Sequence, residues 1–225
     1  MKRYWLKEEL SCADELLSYV PKLLEEFLAY HTDFINGSYS KGIPVAKLLP
    51  GAKDFVASDI AYPWKTEPMK YTWKSAGVND CYYKTEHAQR HFPTAVALTE
   101  RFELHSGLSC YSILEKNTVI TRHTGHENRD NEFVRIHIPL LIPNGDIFFE
   151  CEGYEIDWTE IWGFDNQLIH SAHNTTDQRR LVYFIDIERA YIGLPPQPAF
   201  DPARELTIPP FTRGALPRVL HQHQR

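Results

Sequence analysis

The sequence predicts a mainly β protein with a sandwich, jelly-roll or barrel core and helices confined to its N-terminal region. Three observations carry this. From Ser109 onward, short β-forming segments recur with period-two alternation, at 109–115, 117–122, 133–142, 147–152, 160–164, 168–173 and 180–188. The breaks between them are turn-like rather than helical: Asn144-Gly145, Glu152-Gly153 and the run Asn174 to Asp177. Before these strands, apolar residues recur at helical spacing instead. Short strands with no helix between them do not build a parallel α/β sheet; they close on themselves or pack in two layers.

Taken in order, residues 5–35 read as helical. Ser11 to Asp14 resembles a capping box in which Asp14 replaces the usual Glu. Leu16, Leu17 and Val20, then Leu23, Leu24, Phe27 and Leu28, share one face. Pro21 interrupts the pattern, so two short helices are expected, the second with Pro21 in its first turn. Their apolar face is expected to cover a sheet. Residues 36–75 read as irregular, punctuated by Gly37, Gly42, Pro44, Pro50, Gly51, Pro63 and Pro68, and carry Trp64 and Trp73. Such a segment either wraps the core or lines an entrance. Pro93 opens a third short helix with Ala95, Leu98 and Phe102 on one face. Asn144-Gly145 predicts a hairpin between its flanking strands. The Pro-rich tail 193–225, ending in His221-Gln-His-Gln-Arg225, is expected to wrap the surface or fray rather than bind metal. The whole reads as a single domain, 1–225, in which residues 1–92 are helical and irregular, 93–192 form the core and 193–225 the tail.

Composition bounds the function. A net charge of −6 and a pI near 6.0 argue against a general nucleic-acid binder. Cys12, Cys81, Cys110 and Cys151 show no close spacing, which argues against a zinc finger or a disulfide framework. The start, MKRYWLKEEL, has no apolar signal-like region, and no apolar run approaches the roughly 20 residues of a membrane span. A cytoplasmic protein with free thiols and no membrane partner is expected.

The chemistry concentrates in Thr121 to Pro143, which holds three of the eleven histidines. In strand 133–142, Phe133, Arg135, His137 and Pro139 share one face, and Val134, Ile136, Ile138 and Leu140 the other. If the apolar face meets the helices, Arg135 and His137 point into the core. A buried guanidinium needs an anion, which is either an internal Asp or Glu or an acidic ligand. Arg180 repeats the pattern, sharing a face with Val182 and Phe184. Two inward arginines resemble a site for a diacid. His123 and His170 are the metal candidates, because neutral imidazole is the commonest ligand for first-row metals. Two histidines and a carboxylate, in the form HxD…H, mark non-haem Fe(II) oxygenases. Here the carboxylate position holds Gly125. By spacing alone, two lone histidines are more often structural than metal ligands.

From about Phe92 to Pro195 the chain resembles the aspartyl/asparaginyl β-hydroxylase family of Fe(II)- and 2-oxoglutarate-dependent dioxygenases. The resemblance rests on ordered pieces: Tyr111-Ser112, His123-Thr124-Gly125, RIHIPLLIP at 135–143, IWGFD at 161–165, His170-Ser171 and RLVYFID at 180–186. It implies a double-stranded β-helix, a jelly-roll and cupin-like core. It implies that His123 and His170 bind Fe(II), that Ser112 and Arg180 hold the distal carboxylate of 2-oxoglutarate, and that O2 is the other co-substrate. Arg135 and His137 would meet the other end of the co-substrate, the prime substrate, or both, and so carry the catalytic role. Trp64 loosely matches an aromatic ahead of the core. The HxG…H form resembles the peptidyl branch of the family, whose third ligand position holds water. The loop 126–133 is longer than in that branch, and a third ligand from Glu127 or Asp130 is the alternative to a vacant position. The expected function is hydroxylation of an Asp/Asn-like side chain of a peptide or an amino-acid-derived small molecule. The alternatives are a non-catalytic cupin-like protein that binds or senses 2-oxoglutarate, and the same chemistry on a lipid acyl chain.

Overall fold

The computed structural model describes residues 4–30, 73–79, 92–102, 106–114, 116–124, 132–196 and 218–219; at 30, 73–79, 106–108, 118, 121, 123 and 218–219 it describes the backbone alone. All seven segments expected as strands are strands. They are β3 (Ser106–Leu114), β4 (Thr118–His123), β5 (Phe133–Leu141), β6 (Ile147–Cys151), β8 (Trp162–Phe164), β9 (His170–Asn174) and β10 (Arg180–Glu188). Four further strands join them: β1 (Tyr4–Leu6), β2 (Trp73–Asn79), β7 (Tyr154–Ile156) and β11 (Arg218–Val219). Among the described residues they form a six-stranded sheet, β1-β8-β5-β10-β3-β2, and a five-stranded sheet, β11-β7-β6-β9-β4. Every pairing is antiparallel except β11 with β7. This is the mainly β, jelly-roll architecture of the double-stranded β-helix.

Period-two alternation sorts the layers. On the six-stranded sheet, Ile113, Val134, Ile136, Ile138, Leu181, Tyr183, Ile185 and Ile187 pack outward with Leu16, Leu23, Phe27, Ala95, Leu98 and Phe102 of the helices. Its other face meets the five-stranded sheet, where Leu114, Trp162 and Phe164 pack with Phe149, Cys151, Ile156 and Ala172. The layers therefore run helices, larger sheet, smaller sheet, and the inward positions of β3, β5 and β10 lie between the sheets.

The helices are α1 (Ala13–Ser18), α2 (Val20–Tyr30) and α3 (Pro93–Arg101). Pro21 sits in the first turn of α2 and Pro93 opens α3, where a missing N–H costs nothing. The N–H groups of Thr94 and Ala95 donate to the Glu26 carboxylate of α2 at 2.7 and 2.9 Å, so one helix caps the next. Tyr111 Oη donates to the same carboxylate at 2.7 Å, tying β3 to the helix layer.

Three expectations are corrected. The helical reading of 5–35 fails at its start: Tyr4 to Leu6 pair with β8, with Trp5 opposite Gly163, because an exposed sheet edge offers the chain backbone partners, and Lys7–Glu9 form a short 3-10 helix before α1. The capping box at Ser11 to Asp14 does not form. The helix is capped at Cys12, so Ser11 is one residue too early, and its hydroxyl donates to Ile192 O at 3.4 Å. Asn144-Gly145 is not a hairpin turn, because β5 and β6 lie in different sheets and the turn crosses between them. The two-residue hairpin is Glu152-Gly153, whose φ values of 49° and 90° suit the turn that matches strand twist. Some of the segment read as irregular is also ordered: β2 extends the larger sheet beside β3. Among the described residues, Cys12, Cys110 and Cys151 are buried and form no disulfide, and no helix is long and apolar enough to cross a membrane.

Candidate active site between the sheets

Arg180 opens β10 on the inward face and is almost fully buried. Its Nη2 approaches Ser112 Oγ at 3.4 Å, across the β10–β3 pairing in which Ser112 faces Val182. Its guanidinium lies 4.1 Å from the centre of the Trp158 ring. Among the described residues, Nε and Nη1 have no hydrogen-bond partner and no carboxylate pairs with the group. Burial pulls its pKa down to about 9, which still leaves it cationic at neutral pH. A buried, uncompensated guanidinium with two unused donors is a receptor for an anion, and its planar fork suits a carboxylate.

His137, on β5, is enclosed by rings: Trp162 at 5.0 Å, Phe164 at 5.5 Å, Phe149 at 5.7 Å, Phe184 at 5.9 Å and Trp158 at 6.3 Å. Trp158 Nε1–H donates to His137 Nδ1 at 3.3 Å. Burial, then the positive charges of Arg180 and Arg135, hold the imidazole well below its usual pKa, so it is neutral. Since Nδ1 accepts, Nε2 carries the proton, and His137 is a neutral hydrogen-bond donor inside the pocket. Trp162 Nε1, on the ring nearest His137 among the described residues, is buried with no partner among them.

His170 opens β9 and contacts Phe164 at 5.0 Å and Phe149 at 5.6 Å, two rings it shares with His137. Its Nδ1 lies 2.7 Å from Leu168 O. A carbonyl only accepts, so Nδ1 carries a proton, and this is the second-sphere bond that metal-binding histidines use. His123 lies at the register position opposite His170 through an irregularity in β4. Ile120 faces Ala172, and two residues on Arg122 would face His170, but one extra residue brings His123 there instead. Arg122 meanwhile pairs with buried Glu150 at 3.3 Å. By residue type, two imidazoles are a donor set that suits a first-row divalent metal. Among the described residues no three His, Cys, Asp or Glu side chains cluster as a metal site; the side chain of His123 and residues 125–131, including Gly125, Glu127 and Asp130, lie outside them, as does Trp64.

Arg135 faces inward on β5 and forms a bidentate pair with Asp186 of β10, Nε to Oδ1 at 2.7 Å and Nη2 to Oδ2 at 2.8 Å. The guanidinium also covers Phe184 at 4.4 Å. Of the two partners that the sequence allows for Arg135, an internal carboxylate is present, and two of its N–H groups are committed to it.

The structure thus joins Ser112 to Arg180, links Arg180 to His137 through Trp158, sets His123 opposite His170 and ties Arg135 to Asp186. Sequence reasoning missed Trp158 and Asp186. Asp186 had a signal, an acid flanked by isoleucines within an apolar strand and on the same parity as Arg180. Trp158 had a weaker one, an indole between Asp157 and Glu160 in a turn.

A family model described as aspartyl/asparaginyl beta-hydroxylase matches residues 52–190. No curated protein matches the chain in sequence. Among solved structures, a prolyl hydroxylase from Trichoplax adhaerens in complex with a hypoxia inducible factor peptide fragment is 13% identical, with 80% of this chain and 83% of that one covered at a TM-score of 0.42. A prolyl-4-hydroxylase from Pseudomonas putida is 9% identical, over 59% and 78%, at 0.37. A cupin-like protein from Thermotoga maritima is 9% identical, over 69% and 97%, at 0.31.

Proposed function

Because the chain belongs to the aspartyl/asparaginyl β-hydroxylase family, we propose that it is an Fe(II)- and 2-oxoglutarate-dependent dioxygenase. Its substrate would be an Asp/Asn-like side chain in a peptide or an amino-acid-derived small molecule. The observation that carries this reading is Arg180, a buried cation with two donors unpartnered among the described residues and a serine beside it. A structural arginine in such a place would be paired, as Arg135 is.

His123 and His170 would hold the metal. Fe(II) with bound oxoglutarate supplies the oxidising power that converts O2 and a C–H bond into an alcohol, with succinate and CO2 as co-products. The residues of this chain bind and orient. Arg180 and Ser112 would take the distal carboxylate of oxoglutarate, the guanidinium by two parallel N–H···O bonds and the hydroxyl by one. His137 Nε2–H would donate to an oxygen at the other end of the co-substrate or on the prime substrate. Arg135, oriented by Asp186, would add positive potential on the same side. Phe149, Phe164, Phe184 and Trp162 exclude water around these groups and so strengthen each polar contact.

The test is succinate formation by the protein supplied with Fe(II), oxoglutarate and O2. Turnover that His123→Ala and His170→Ala each abolish is the expected result. A correctly metallated protein that forms no succinate across a broad panel of acidic and amide substrates overturns the reading. Gly125 in the carboxylate position favours a second reading, a binding or sensing protein; tight oxoglutarate binding without O2-dependent turnover would support it.

A further inference from the structure

Two arginines face the interior between the sheets, and they are held in different ways. Arg135 is gripped by a carboxylate, which orients it and offsets its charge. Among the described residues, Arg180 has only a long contact to Ser112 and the face of Trp158. An aromatic face attracts a guanidinium stacked within about 6 Å of its centre without occupying an N–H and without neutralising the charge. It therefore orients Arg180 and leaves its donors for a ligand. The same indole reaches the other polar group of the pocket. Its ring lies nearly parallel to His137, at an interplanar angle of 15°, and its N–H meets His137 Nδ1. Indole nitrogen only donates, so this contact selects one of the two neutral tautomers of the imidazole.

The indole is itself held in place. Asp157 Oδ1 accepts the Thr159 N–H at 2.8 Å and the Thr159 hydroxyl at 2.9 Å, closing the turn that carries Trp158. Phe149 packs on the ring at 5.5 Å. The arrangement is complete without a ligand, so it costs little ordering when one binds.

We propose that Trp158 is the positioning residue of this pocket: its N–H holds His137 as the Nε2–H donor while its face sets the plane of Arg180, presetting two donors for one dicarboxylate. The proposal rests on the oxoglutarate reading above for the identity of that ligand, but not for the tautomer.

Two measurements separate these roles. Ring nitrogen shifts in 15N NMR of the ligand-free protein report the His137 tautomer. The Nε2–H form is expected in the wild type, and a mixture or the Nδ1–H form in Trp158→Phe, which keeps an aromatic face under Arg180 but has no N–H. Oxoglutarate is then titrated into the Fe(II)-loaded protein without O2. Binding is expected to weaken roughly 10-fold in Trp158→Phe, the scale of one lost hydrogen bond, and roughly 100-fold in Trp158→Leu, which loses the stacking as well. Turnover at saturating oxoglutarate should change less than KM does. An Nδ1–H tautomer in the wild type, or Trp158→Phe with tautomer and affinity unchanged, overturns the proposal. A wild type that binds no oxoglutarate overturns the reading of the ligand, and the NMR result still decides the role of Trp158 toward His137. Should Trp158→Leu fail to fold, Trp158→Phe, which keeps a ring in the same space, and the wild-type tautomer carry the decision.

Discussion

Arg180 and Arg135 sit in one interior and should respond oppositely to substitution. Arg180 bears a buried charge with no carboxylate beside it among the described residues, so its desolvation is a standing cost to the ligand-free protein. Arg180→Met should raise unfolding stability by about 1–3 kcal/mol in denaturant titration while removing oxoglutarate binding. Asp186→Asn should do the reverse to stability. It leaves Arg135 without its bidentate partner, and breaking a buried pair in this way costs about 3–5 kcal/mol. His137 adds a pH dependence. Its folded pKa is depressed first by burial and then by Arg180 and Arg135, so below pH 6.5 the unfolded chain takes up a proton that the folded chain does not. The stability held above that pH is lost as pH falls, by about 1.4 kcal/mol per pH unit from this group. His137→Phe should remove that slope, measured by comparing unfolding free energies at pH 5 and pH 7 in the two proteins.

Strand packing places these side chains. The extra residue in β4 decides which residue of the strand lies opposite His170 in the register, and nothing in the local sequence announces it. Between β8 and the helix-facing side of the larger sheet, Gly163 provides a second tight fit. A Cβ there would stand 2.8 Å from Val134 Cγ1 and 3.5 Å from both Ile136 Cγ1 and Leu10 Cδ2. Gly163→Ala must therefore displace β8 or Val134 and should cost about 1–3 kcal/mol of stability, read as a fall in the denaturation midpoint with an unchanged slope. Since β8 leads into the turn that precedes His170, the same variant should weaken metal binding by more than a comparable change in α1. The elements legible beforehand were those with a strong period, namely the seven strands and the helices of residues 13–30 and 93–101. The elements missed, β1, β2, β7 and β11, are short or lie at sheet edges, where backbone pairing substitutes for side-chain pattern.

In the whole molecule, the helices cover one face of the larger sheet, and the smaller sheet closes the other over the candidate site. A ligand that binds only the folded protein stabilises it in proportion to its occupancy. Oxoglutarate at 100 times its Kd with Fe(II) should therefore add about 2.7 kcal/mol, seen as a rise in Tm, and Arg180→Met should abolish the rise. The inward parity of Arg135, His137 and Arg180 was legible because alternation along a strand is local, and one apolar face told which side was buried. The order of the motifs was legible for the same reason. Their partners were not. That Asp186 answers Arg135, that Trp158 joins His137 to Arg180, that His123 lies opposite His170 and that Asn144-Gly145 crosses between sheets are facts about residues far apart in the chain. The sequence determined which side chains face inward and what chemistry they bring. Only the tertiary structure decided which of them meet, because pairing register and sheet membership follow from long-range contacts that no local period encodes.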